Sequence, residues 1–485
     1  MSTPVCELPK GLATTPYIAG EWAVGDGERF EVLNPATGAP LATVTGAGTR
    51  DLQSALAAAS DALPSWSATA PRARGEVLRR AFELMHERAD ELAALMTLEM
   101  GKTFADARAE VAYAAEFFRW FAEEAPRIGG ELRTAPSGAN RILTMHRPVG
   151  VCLLVTPWNF PAAMATRKIG PALAAGCTVV LKPAEDTPLT ALYLAGLLTE
   201  AGAPAGVVNV LPTAQPGPLV AAALADERVR KLSFTGSTAV GRLLLAQAAS
   251  RVLRTSMELG GNAPFIVLED ADVDAAVSGA MVAKMRNGGQ ACTAANRFLV
   301  RQEVAEEFTT KLSEAMAALQ LGPGAEEATG LGPMVNRRAV ERITALVDGA
   351  VADGAQVRLG GSPVDGPGFF YPATVVTGAD PACPLAAEEV FGPVAAIYTA
   401  SSDEEIVATA NATEYGLTGY LYTRDLARGL RIGEQLEVGM LGLNRGLVSD
   451  PAAPFGGVRQ SGLGREGGFE GIEEYLETSY IATTW

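Results

Sequence analysis

Between residues 149 and 268, short apolar runs alternate with amphipathic stretches. Short runs that contain several apolar residues predict buried strands over residues 149–155, 177–183, 206–212 and 229–234. The stretches between and after them predict helices over residues 161–176, 189–202, 218–226 and 237–250, the first ending at Gly176. Strand and helix in steady alternation are typical of βαβ units. The pattern therefore predicts an α/β fold with a doubly wound parallel sheet, which binds ligands at the carboxyl ends of its strands.

A second alternating block extends from about residue 263 to 444. It predicts strands over 263–268, 298–303, 357–361 and 441–444, and helices over 272–286 and 304–319. Two other strand-like segments, NRILTMHRPV (140–149) and SYIATTW (479–485), have no helical partner. Because an exposed edge strand is usually covered, we expect these segments to pair with each other or with another subunit. The chain thus contains a second α/β unit and a small β extension.

The composition argues against several classes of protein. A chain of 485 residues with 48% hydrophobic and 19% charged residues is a folded protein of two or three units. The net charge of −16 argues against nucleic acid as a partner, because nucleic-acid binding relies on clustered Lys and Arg. The first twenty residues do not resemble a secretory signal, and no apolar run reaches the ~18 residues that span a bilayer. We expect a cytoplasmic protein without a membrane segment.

Cysteine and histidine usage narrows the chemistry. The five cysteines are widely spaced and form no C-x-x-C pair, which argues against a disulfide framework or a zinc site. The only histidines are His86, in a helical stretch, and His146, in a strand-like run. Hydrolases of the Ser-His-Asp and Cys-His types and most metal sites need a histidine. We therefore expect neither of these hydrolase types and no metal site.

The segment RNGGQACTAANR (286–297) contains a candidate nucleophile. Cys292 follows a helical stretch and lies in a Gly-rich turn. Such a turn can expose a thiol and hold it near backbone N–H groups that favour the thiolate, the form that attacks. A lone cysteine is more often structural, so other residues must support this role.

Two further segments supply that support. In MELGGNAPFIV (257–267), Glu258 lies at the end of an apolar run and before a Gly-Gly pair, where a carboxylate can act as a general base. In TPWNFP (156–161), Asn159 lies in a turn stiffened by two prolines. Its side-chain amide is a donor of the kind that holds an oxyanion.

Seven segments, in this order along the chain, resemble the signatures of the aldehyde dehydrogenase superfamily. They are TPWNFP, LKPAEDTP, SFTGSTAVG, MELGGNAPF, GGQAC, EEVFGP and PFGGVRQSGLGREGG. The resemblance implies that Cys292 attacks the aldehyde and that Asn159 and the Cys292 backbone N–H hold the resulting oxyanion. Hydride transfer to a nicotinamide cofactor leaves a thioester, which water activated by Glu258 hydrolyses.

The same resemblance implies the cofactor contacts. Lys182 and Glu185 match positions that hold the adenosine ribose, and the segment from Gly236 to Gly241, with Ser237, matches the pyrophosphate turn. The other residues expected to bind the cofactor are Thr156, Pro157, Trp158, Pro183, Ala184, Leu259, Glu389 and Phe391. A carboxylate at the ribose repels a 2′-phosphate, so Glu185 favours NAD, while Lys182 leaves NADP open.

Three polar residues that the general mechanism does not need indicate the substrate. Arg167, Arg286 and Ser449 match positions with which succinate semialdehyde dehydrogenases bind the distal carboxylate, and two guanidiniums suit that role. Structural ion pairs at the two arginines are the alternative. Ala294 replaces a second cysteine found in many members of this subfamily, and Asp450-Pro451 beside Ser449 makes glutarate semialdehyde the nearest competing substrate.

The sequence therefore predicts NAD(P)-dependent oxidation of succinate semialdehyde to succinate. Alternatives are a glutarate semialdehyde or broad-range aldehyde dehydrogenase, a CoA-acylating relative and a non-catalytic member. Expected units are a NAD-binding domain (1–126 and 148–257), a catalytic domain (258–465) and oligomerisation segments (127–147 and 466–485). The resemblance implies a homodimer or homotetramer.

Overall fold

The computed structural model describes residues 6–485. The strands in this part of the chain are β1 Tyr17–Ile18, β2 Glu21–Trp22, β3 Arg29–Leu33, β4 Pro40–Thr45, β5 Leu132–Thr134, β6 Arg141–Pro148, β7 Val151–Val155, β8 Thr178–Lys182, β9 Val208–Val210, β10 Val229–Thr235, β11 Arg254–Glu258, β12 Ala263–Val267, β13 Ala295–Arg301, β14 Gln356–Leu359, β15 Thr374–Thr377, β16 Val394–Ala400, β17 Thr418–Tyr422, β18 Met440–Leu443, β19 Gly462–Leu463 and β20 Leu476–Thr483. The strands predicted from apolar runs are all present.

The α-helices are α1 Thr49–Ala68, α2 Pro71–Glu87, α3 Ala89–Met100, α4 Phe104–Glu124, α5 Pro161–Ala175, α6 Pro188–Glu200, α7 Pro216–Ala225, α8 Thr238–Ala249, α9 Val273–Met285, α10 Ala305–Ala317, α11 Arg337–Ala352, α12 Pro384–Ala387, α13 Asp403–Asn411, α14 Leu426–Gly433 and α15 Glu470–Glu473. Helix α5 ends where the sequence predicts, because Gly176 adopts the left-handed conformation (φ 95°) that caps a helix C-terminus. Short 3₁₀ turns cover Ala125–Arg127, Arg286–Gly289 and Arg459–Ser461.

The first sheet has the strand order β19-β11-β10-β7-β8-β9-β1-β2. Its five central strands, β11 to β9 in this order, are parallel. The chain starts this parallel set at β7, adds β8 and β9 on one side, and then adds β10 and β11 on the other. The order thus reverses between β7 and β10, which makes the sheet doubly wound and confirms the predicted α/β fold.

The reversal point places the signature segments together. Strand β7 leads into TPWNFP and β10 leads into the turn before α8. The strand ends are level, since Val155 pairs with Lys182 of β8 and with Phe234 of β10, and Thr235 pairs with Glu258 of β11. A ligand site is expected at this edge, outside the carboxyl ends of the strands.

The second sheet has the order β14-β15-β16-β13-β12-β17-β18 and is parallel except for β14. Strands β12 and β13 lie at its centre, and all five side chains of β12 are buried. Glu258 ends β11 of the first sheet, and Ala263 begins β12 of the second. Cys292 lies three residues before β13. The site therefore lies where the carboxyl edge of the first sheet meets the amino ends of these two strands.

The two strand-like segments without helical partners do pair with each other. Strand β20 runs antiparallel to β6 from Leu476 with Pro148 to Thr483 with Arg141, and β5 pairs with the other edge of β6. The proposed domain boundaries stay a prediction. Within residues 6–485, no helix combines the length and apolar character needed to cross a membrane.

Candidate active site

A cavity of about 620 Å³ opens at the carboxyl ends of β7, β8 and β10. Its lining contains Cys292 and Asn159, both identified from the sequence as candidate catalytic residues. The lining also contains most residues expected to bind the cofactor: Thr156, Pro157, Trp158, Lys182, Ala184, Glu185, Gly236, Ser237, Leu259, Glu389 and Phe391. One continuous cavity therefore joins the candidate nucleophile to the candidate cofactor residues.

Two of the expected cofactor residues, Pro183 and Gly241, do not line this cavity. Gly241 lies on the first turn of α8 beneath Leu259, and a Cβ at this position would come within 2.4 Å of Leu259 Cδ2. The glycine therefore allows α8 to approach the strand end closely, and Leu259 rather than Gly241 faces the cavity. Ser237 caps α8 by accepting a hydrogen bond from the Val240 N–H at 3.4 Å.

The turn that presents Cys292 is held by several hydrogen bonds. Asn287 adopts the left-handed conformation (φ 55°), and its Nδ2 donates to the carbonyls of Asn159 (3.0 Å) and Gln290 (2.9 Å). The backbone of Gly261 passes so close that a Cβ there would meet the Cys292 carbonyl oxygen at 2.4 Å. The Gly-Gly pair after Glu258 thus allows the two signature segments to touch.

Cys292 is half-buried, and burial raises the pKa of its thiol to about 12. The positive charges of Arg167 and Arg286 lower this pKa, while Glu389 and Glu258 raise it further. The thiol therefore keeps its proton at neutral pH. Burial thus outweighs the neighbouring positive charges, and the role of the turn in favouring the thiolate stays a prediction.

Asn159 is buried at the floor of the cavity. Its Nδ2 donates one hydrogen bond to the Gln290 carbonyl at 3.1 Å, which leaves its second N–H available. Its backbone carbonyl accepts hydrogen bonds from Lys102 Nζ (2.8 Å) and from Asn287 Nδ2. The amide is therefore fixed in place before any ligand binds, as an oxyanion donor should be.

Glu258 lies at the carboxyl end of β11, and its side chain is buried. Burial and the nearby Glu466 carboxylate raise the pKa of Glu258 well above its usual range, while Arg167 and Lys168 oppose this rise. Glu258 Oε2 has no hydrogen-bond partner among the described residues. A carboxyl group of this kind can accept a proton from water near neutral pH.

Glu389 reaches the cavity from the second sheet side. Its Oε1 accepts a hydrogen bond from the Gly261 N–H at 3.1 Å. Burial raises the pKa of Glu389 to about 7, although this N–H opposes the effect. Nearby, the rings of Trp158 and Phe391 pack edge to face with centroids 5.3 Å apart. These contacts join the two sheets around the cavity.

At the other end of the cavity, Lys182 and Glu185 face each other. Lys182 Nζ lies 3.4 Å from Glu185 Oε2. The lysine side chain is almost completely buried, whereas the Glu185 side chain is about half exposed (49%). The ammonium charge is thus paired within the site, and the carboxylate faces the solvent side of the cavity.

Arg167 lies on α5, is completely buried and makes an ion pair. Its Nε is 2.6 Å from Glu466 Oε2, and its guanidinium stacks on the Phe455 ring at 4.1 Å. The other carboxylate oxygen of Glu466 accepts a hydrogen bond from Lys168 Nζ. Burial acts to lower the pKa of Arg167, but Glu466 together with Tyr113, Glu258 and Cys292 more than offsets this, so the pKa is raised. The structural ion pair considered as an alternative is present at Arg167.

Arg167 nevertheless lies in one cluster with the other two candidate substrate residues. Arg167, Arg286 and Ser449 all lower the pKa of the Tyr113 hydroxyl. Both arginines also lower the pKa of the Cys292 thiol. The Arg286 guanidinium stacks on Phe160, 5.2 Å from its centroid, and makes no salt bridge within residues 6–485. The three residues predicted from separate segments therefore converge around Tyr113, and the two arginines also lie near the nucleophile.

Several residues of this site were not predicted from the sequence. Glu466 lies within the segment PFGGVRQSGLGREGG, and Lys168 follows Arg167, so their positions beside recognised residues were a usable signal. Tyr113 and Glu110 lie on α4, for which the sequence offers no motif. Only the packing of α4 against α5 brings these two residues to the site.

Comparisons with known proteins agree with this geometry. The model of the aldehyde dehydrogenase family matches residues 22–481. A succinate-semialdehyde dehydrogenase of Paenarthrobacter nicotinovorans is 57% identical over 91% of this chain and 98% of its own. A glutarate-semialdehyde dehydrogenase of Pseudomonas putida is 48% identical over 96% of each chain.

Among solved structures, a succinate-semialdehyde dehydrogenase from Burkholderia pseudomallei superposes with a TM-score of 0.95 at 47% identity, covering 99% of each chain. The similarity in sequence and structure extends over nearly the whole length. Six of the seven signature segments contribute residues to the lining of one cavity, and PFGGVRQSGLGREGG does not. The chain belongs to the aldehyde dehydrogenase family.

Proposed function

We propose that this protein oxidises succinate semialdehyde to succinate, with NAD as the preferred cofactor. The observation that carries the proposal is the convergence of Arg167, Arg286 and Ser449 around Tyr113, with both arginines close enough to Cys292 to lower its pKa. Two guanidiniums and a hydroxyl suit a carboxylate at the end of a short aldehyde. The relative at 57% identity bears the same activity in its name.

The cavity residues fit a dinucleotide. Gly260 forms a narrow part of the wall, where a Cβ would lie 2.9 Å from Glu389 Oε2. The first turn of α8 provides backbone N–H groups and the positive end of a helix dipole for phosphates. Lys182 and Glu185 would hold the adenosine ribose, and Glu389 and Phe391 would contact the nicotinamide ribose. When NAD is bound, its nicotinamide ring accepts the hydride that leaves the substrate carbon.

The first chemical task of the protein is attack by Cys292. The thiol must release its proton to water before it attacks, and burial opposes this step by raising the thiol pKa. The oxyanion of the thiohemiacetal then accepts hydrogen bonds from the free N–H of Asn159 and from the Cys292 backbone. These donors stabilise the charge where it develops.

The second task is hydrolysis of the thioester. Glu258 accepts a proton from water, and the resulting hydroxide attacks the acyl carbon and releases Cys292 as the leaving group. The raised pKa of Glu258 suits this role, because it makes the carboxylate a stronger base than an ordinary glutamate. The presence of this base argues against a CoA-acylating reaction.

The substrate assignment is tested by replacing Arg286. Arg286→Ala removes a guanidinium that makes no salt bridge in the described chain, so its loss should act mainly on binding of the substrate carboxylate. We expect kcat/KM for succinate semialdehyde to fall at least a hundredfold, while kcat/KM for butanal changes less than threefold. Arg242→Ala, an exposed arginine paired with Glu414, is the matched control. Equal losses on both aldehydes would reject the carboxylate clamp.

Glutarate semialdehyde is the second candidate substrate, because a relative at 48% identity is named for it. Asp450 places a carboxylate next to Ser449, which disfavours a longer acid that extends towards it. Steady-state kinetics with four- and five-carbon semialdehydes decide between the two. A higher kcat/KM for the five-carbon substrate would reverse the assignment.

The NAD preference rests on Glu185. Its carboxylate accepts hydrogen bonds from ribose hydroxyls and repels a 2′-phosphate, and its contact with Lys182 offsets the charge that would attract that phosphate. We expect kcat/KM to be higher with NAD than with NADP. A tenfold preference for NADP would contradict this assignment.

A further inference from the structure

Tyr113 has a buried hydroxyl that forms no hydrogen bond of ordinary geometry, although Arg167 and Ser449 lie close enough to lower its pKa. The residue lies in the middle of α4, and Tyr113 Oη makes no hydrogen bond to any of residues 6–485. Buried tyrosine hydroxyl groups usually find a partner, because an unmet hydrogen bond costs free energy. The exception therefore points to a ligand that satisfies it.

The groups around this hydroxyl are donors. Three groups lower the pKa of the Tyr113 hydroxyl: the guanidiniums of Arg167 and Arg286 and the hydroxyl of Ser449. Burial raises the pKa of Tyr113, although these three groups oppose the effect, so the phenol keeps its proton at neutral pH. Three side chains with strong N–H or O–H donors thus surround a fourth. An anion with several acceptor oxygens suits such a group, and a carboxylate has two oxygens that each accept more than one hydrogen bond.

Packed helices fix Tyr113 relative to Arg167. Glu110, one turn before Tyr113 on α4, accepts hydrogen bonds from the N–H groups of Ala162 (2.9 Å) and Ala163 (3.1 Å) at the start of α5. The Phe117 ring, one turn after Tyr113, packs edge to face with it at 5.0 Å and lies 5.9 Å from the Arg167 guanidinium.

Helix α4 is thus tied to α5 on both sides of Tyr113. The phenol and the guanidinium keep their spacing because each belongs to a buried helix face rather than to a loop. A side chain on such a rigid support can fix the position of a ligand, which is a requirement for specificity.

We infer that Tyr113 is a specificity-determining residue that donates a hydrogen bond to the distal carboxylate of the substrate. The inference rests on the proposed function and extends it, since it adds a fourth side chain to Arg167, Arg286 and Ser449. A site that offers a buried donor discriminates strongly against analogues that lack the matching acceptor.

The test compares succinate semialdehyde with its methyl ester, which keeps the chain and removes the charge. Both aldehydes are assayed with wild-type enzyme, Tyr113→Phe and Tyr193→Phe. Tyr193 of α6 is a matched control, because its hydroxyl donates a hydrogen bond to Glu91 of α3, away from the site. The measured quantity is the ratio of kcat/KM for the acid to kcat/KM for the ester. This ratio does not depend on the fraction of enzyme that folds.

We expect Tyr113→Phe to lower the ratio about tenfold through a higher KM for the acid, with kcat changed less than twofold and the ester unaffected. Inhibition by succinate should weaken by a similar factor. Tyr193→Phe should leave the ratio unchanged. An unchanged ratio in Tyr113→Phe, or equal losses on acid and ester, would overturn the inference while leaving the proposed function intact. A wild-type enzyme that does not prefer the acid would instead reject the proposed function, and this inference with it.

Discussion

At the scale of single residues, burial raises the pKa of both reacting side chains. The thiol of Cys292 has a pKa of about 12, and the pKa of Glu258 lies well above its usual range, because each group loses hydration. The positive charge of Arg167 opposes this effect at both positions. Burial therefore disfavours two negative charges close together at rest.

Replacing Glu258 separates the two halves of the proposed reaction. In Glu258→Gln, hydride transfer precedes the step that needs the base, so we expect a rapid burst of about one NADH per active site followed by slow turnover. Stopped-flow absorbance at the NADH band measures this burst. A variant with unchanged steady-state turnover would contradict the role of Glu258 as base.

The same variant has a predictable effect on stability. Because the folded-state pKa of Glu258 is raised, the folded protein binds more protons than the unfolded chain once the pH exceeds about 4.5. The wild type therefore loses stability as the pH rises towards the folded-state pKa, and the glutamine variant does not have this loss. The difference in Tm, variant minus wild type, should be larger at pH 8 than at pH 5. A difference that is equal at both values would mean that Glu258 is not perturbed.

Asn159 acts on the transition state more than on the fold. Removing one oxyanion donor typically costs about 3 kcal/mol, so Asn159→Ala should lower kcat about a hundredfold. The fold loses one hydrogen bond, to the Gln290 carbonyl, which is worth about 1 kcal/mol. Kinetics and thermal unfolding of the same preparation give both numbers. Collapse of the fold, or a kcat within threefold of wild type, would contradict this assignment.

Residue roles were predictable from sequence only where a motif carried them. Cys292, Glu258 and Asn159 lie in signature segments, so their positions could be read before the fold was known. Arg167 could be placed near the site, but its ion pair with Glu466 joins residues 299 positions apart. Such a contact depends on tertiary packing and leaves no local pattern.

At the scale of elements, the helices α4 and α5 form the support of the site. Every residue of α5 is buried, and Glu110 of α4 bonds to its first N–H groups. The same carboxylate contacts Lys102 Nζ, with both side chains completely buried. This buried ion pair thus links α4, the start of α5 and the carbonyl of Asn159.

Loss of this ion pair should be costly. Glu110→Gln keeps an acceptor for the first N–H groups of α5 but leaves the Lys102 ammonium buried without its partner. Such a loss costs roughly 3–5 kcal/mol of unfolding free energy. The control is Glu83→Gln on the exposed face of α2, where Glu83 pairs with Arg79, and a change of about 0.5 kcal/mol or less is expected. Urea unfolding at fixed protein concentration measures both. Equal effects in the two variants would contradict the structural role of Glu110.

Elements were predictable where one physical signal dominated. Strands β7, β8 and β12 are buried on both faces in parallel sheets, so they appear as largely apolar runs. The glycine at position 176 predicted the C-terminal end of α5. The two-residue strands β1 and β2 carry no comparable pattern, because antiparallel pairing to the edge of an existing sheet needs few apolar positions.

At the scale of the whole molecule, the small sheet of β5, β6 and β20 presents an open edge. Strand β20 is eight residues long and lies at the border of this sheet, with its outer edge unpaired among the described residues. It exposes Tyr480 (68%) and Ile481 (46%), and Trp485 follows it. Long, apolar edge strands are usually covered, since their free N–H and C=O groups otherwise recruit other chains.

We therefore expect a second copy of this chain to cover β20, so that the protein is a dimer or a tetramer. The double variant Tyr480→Lys and Ile481→Lys places two charges on that strand, and edge lysines oppose strand pairing. Analytical ultracentrifugation should give a mass of two or four times 50.4 kDa for the wild type and a smaller species for the variant. Val24→Lys, at an exposed position of the first β hairpin region, is the control and should not change the mass. A wild-type monomer would contradict the predicted assembly, whereas an unchanged mass in the double variant would show that another surface holds it together.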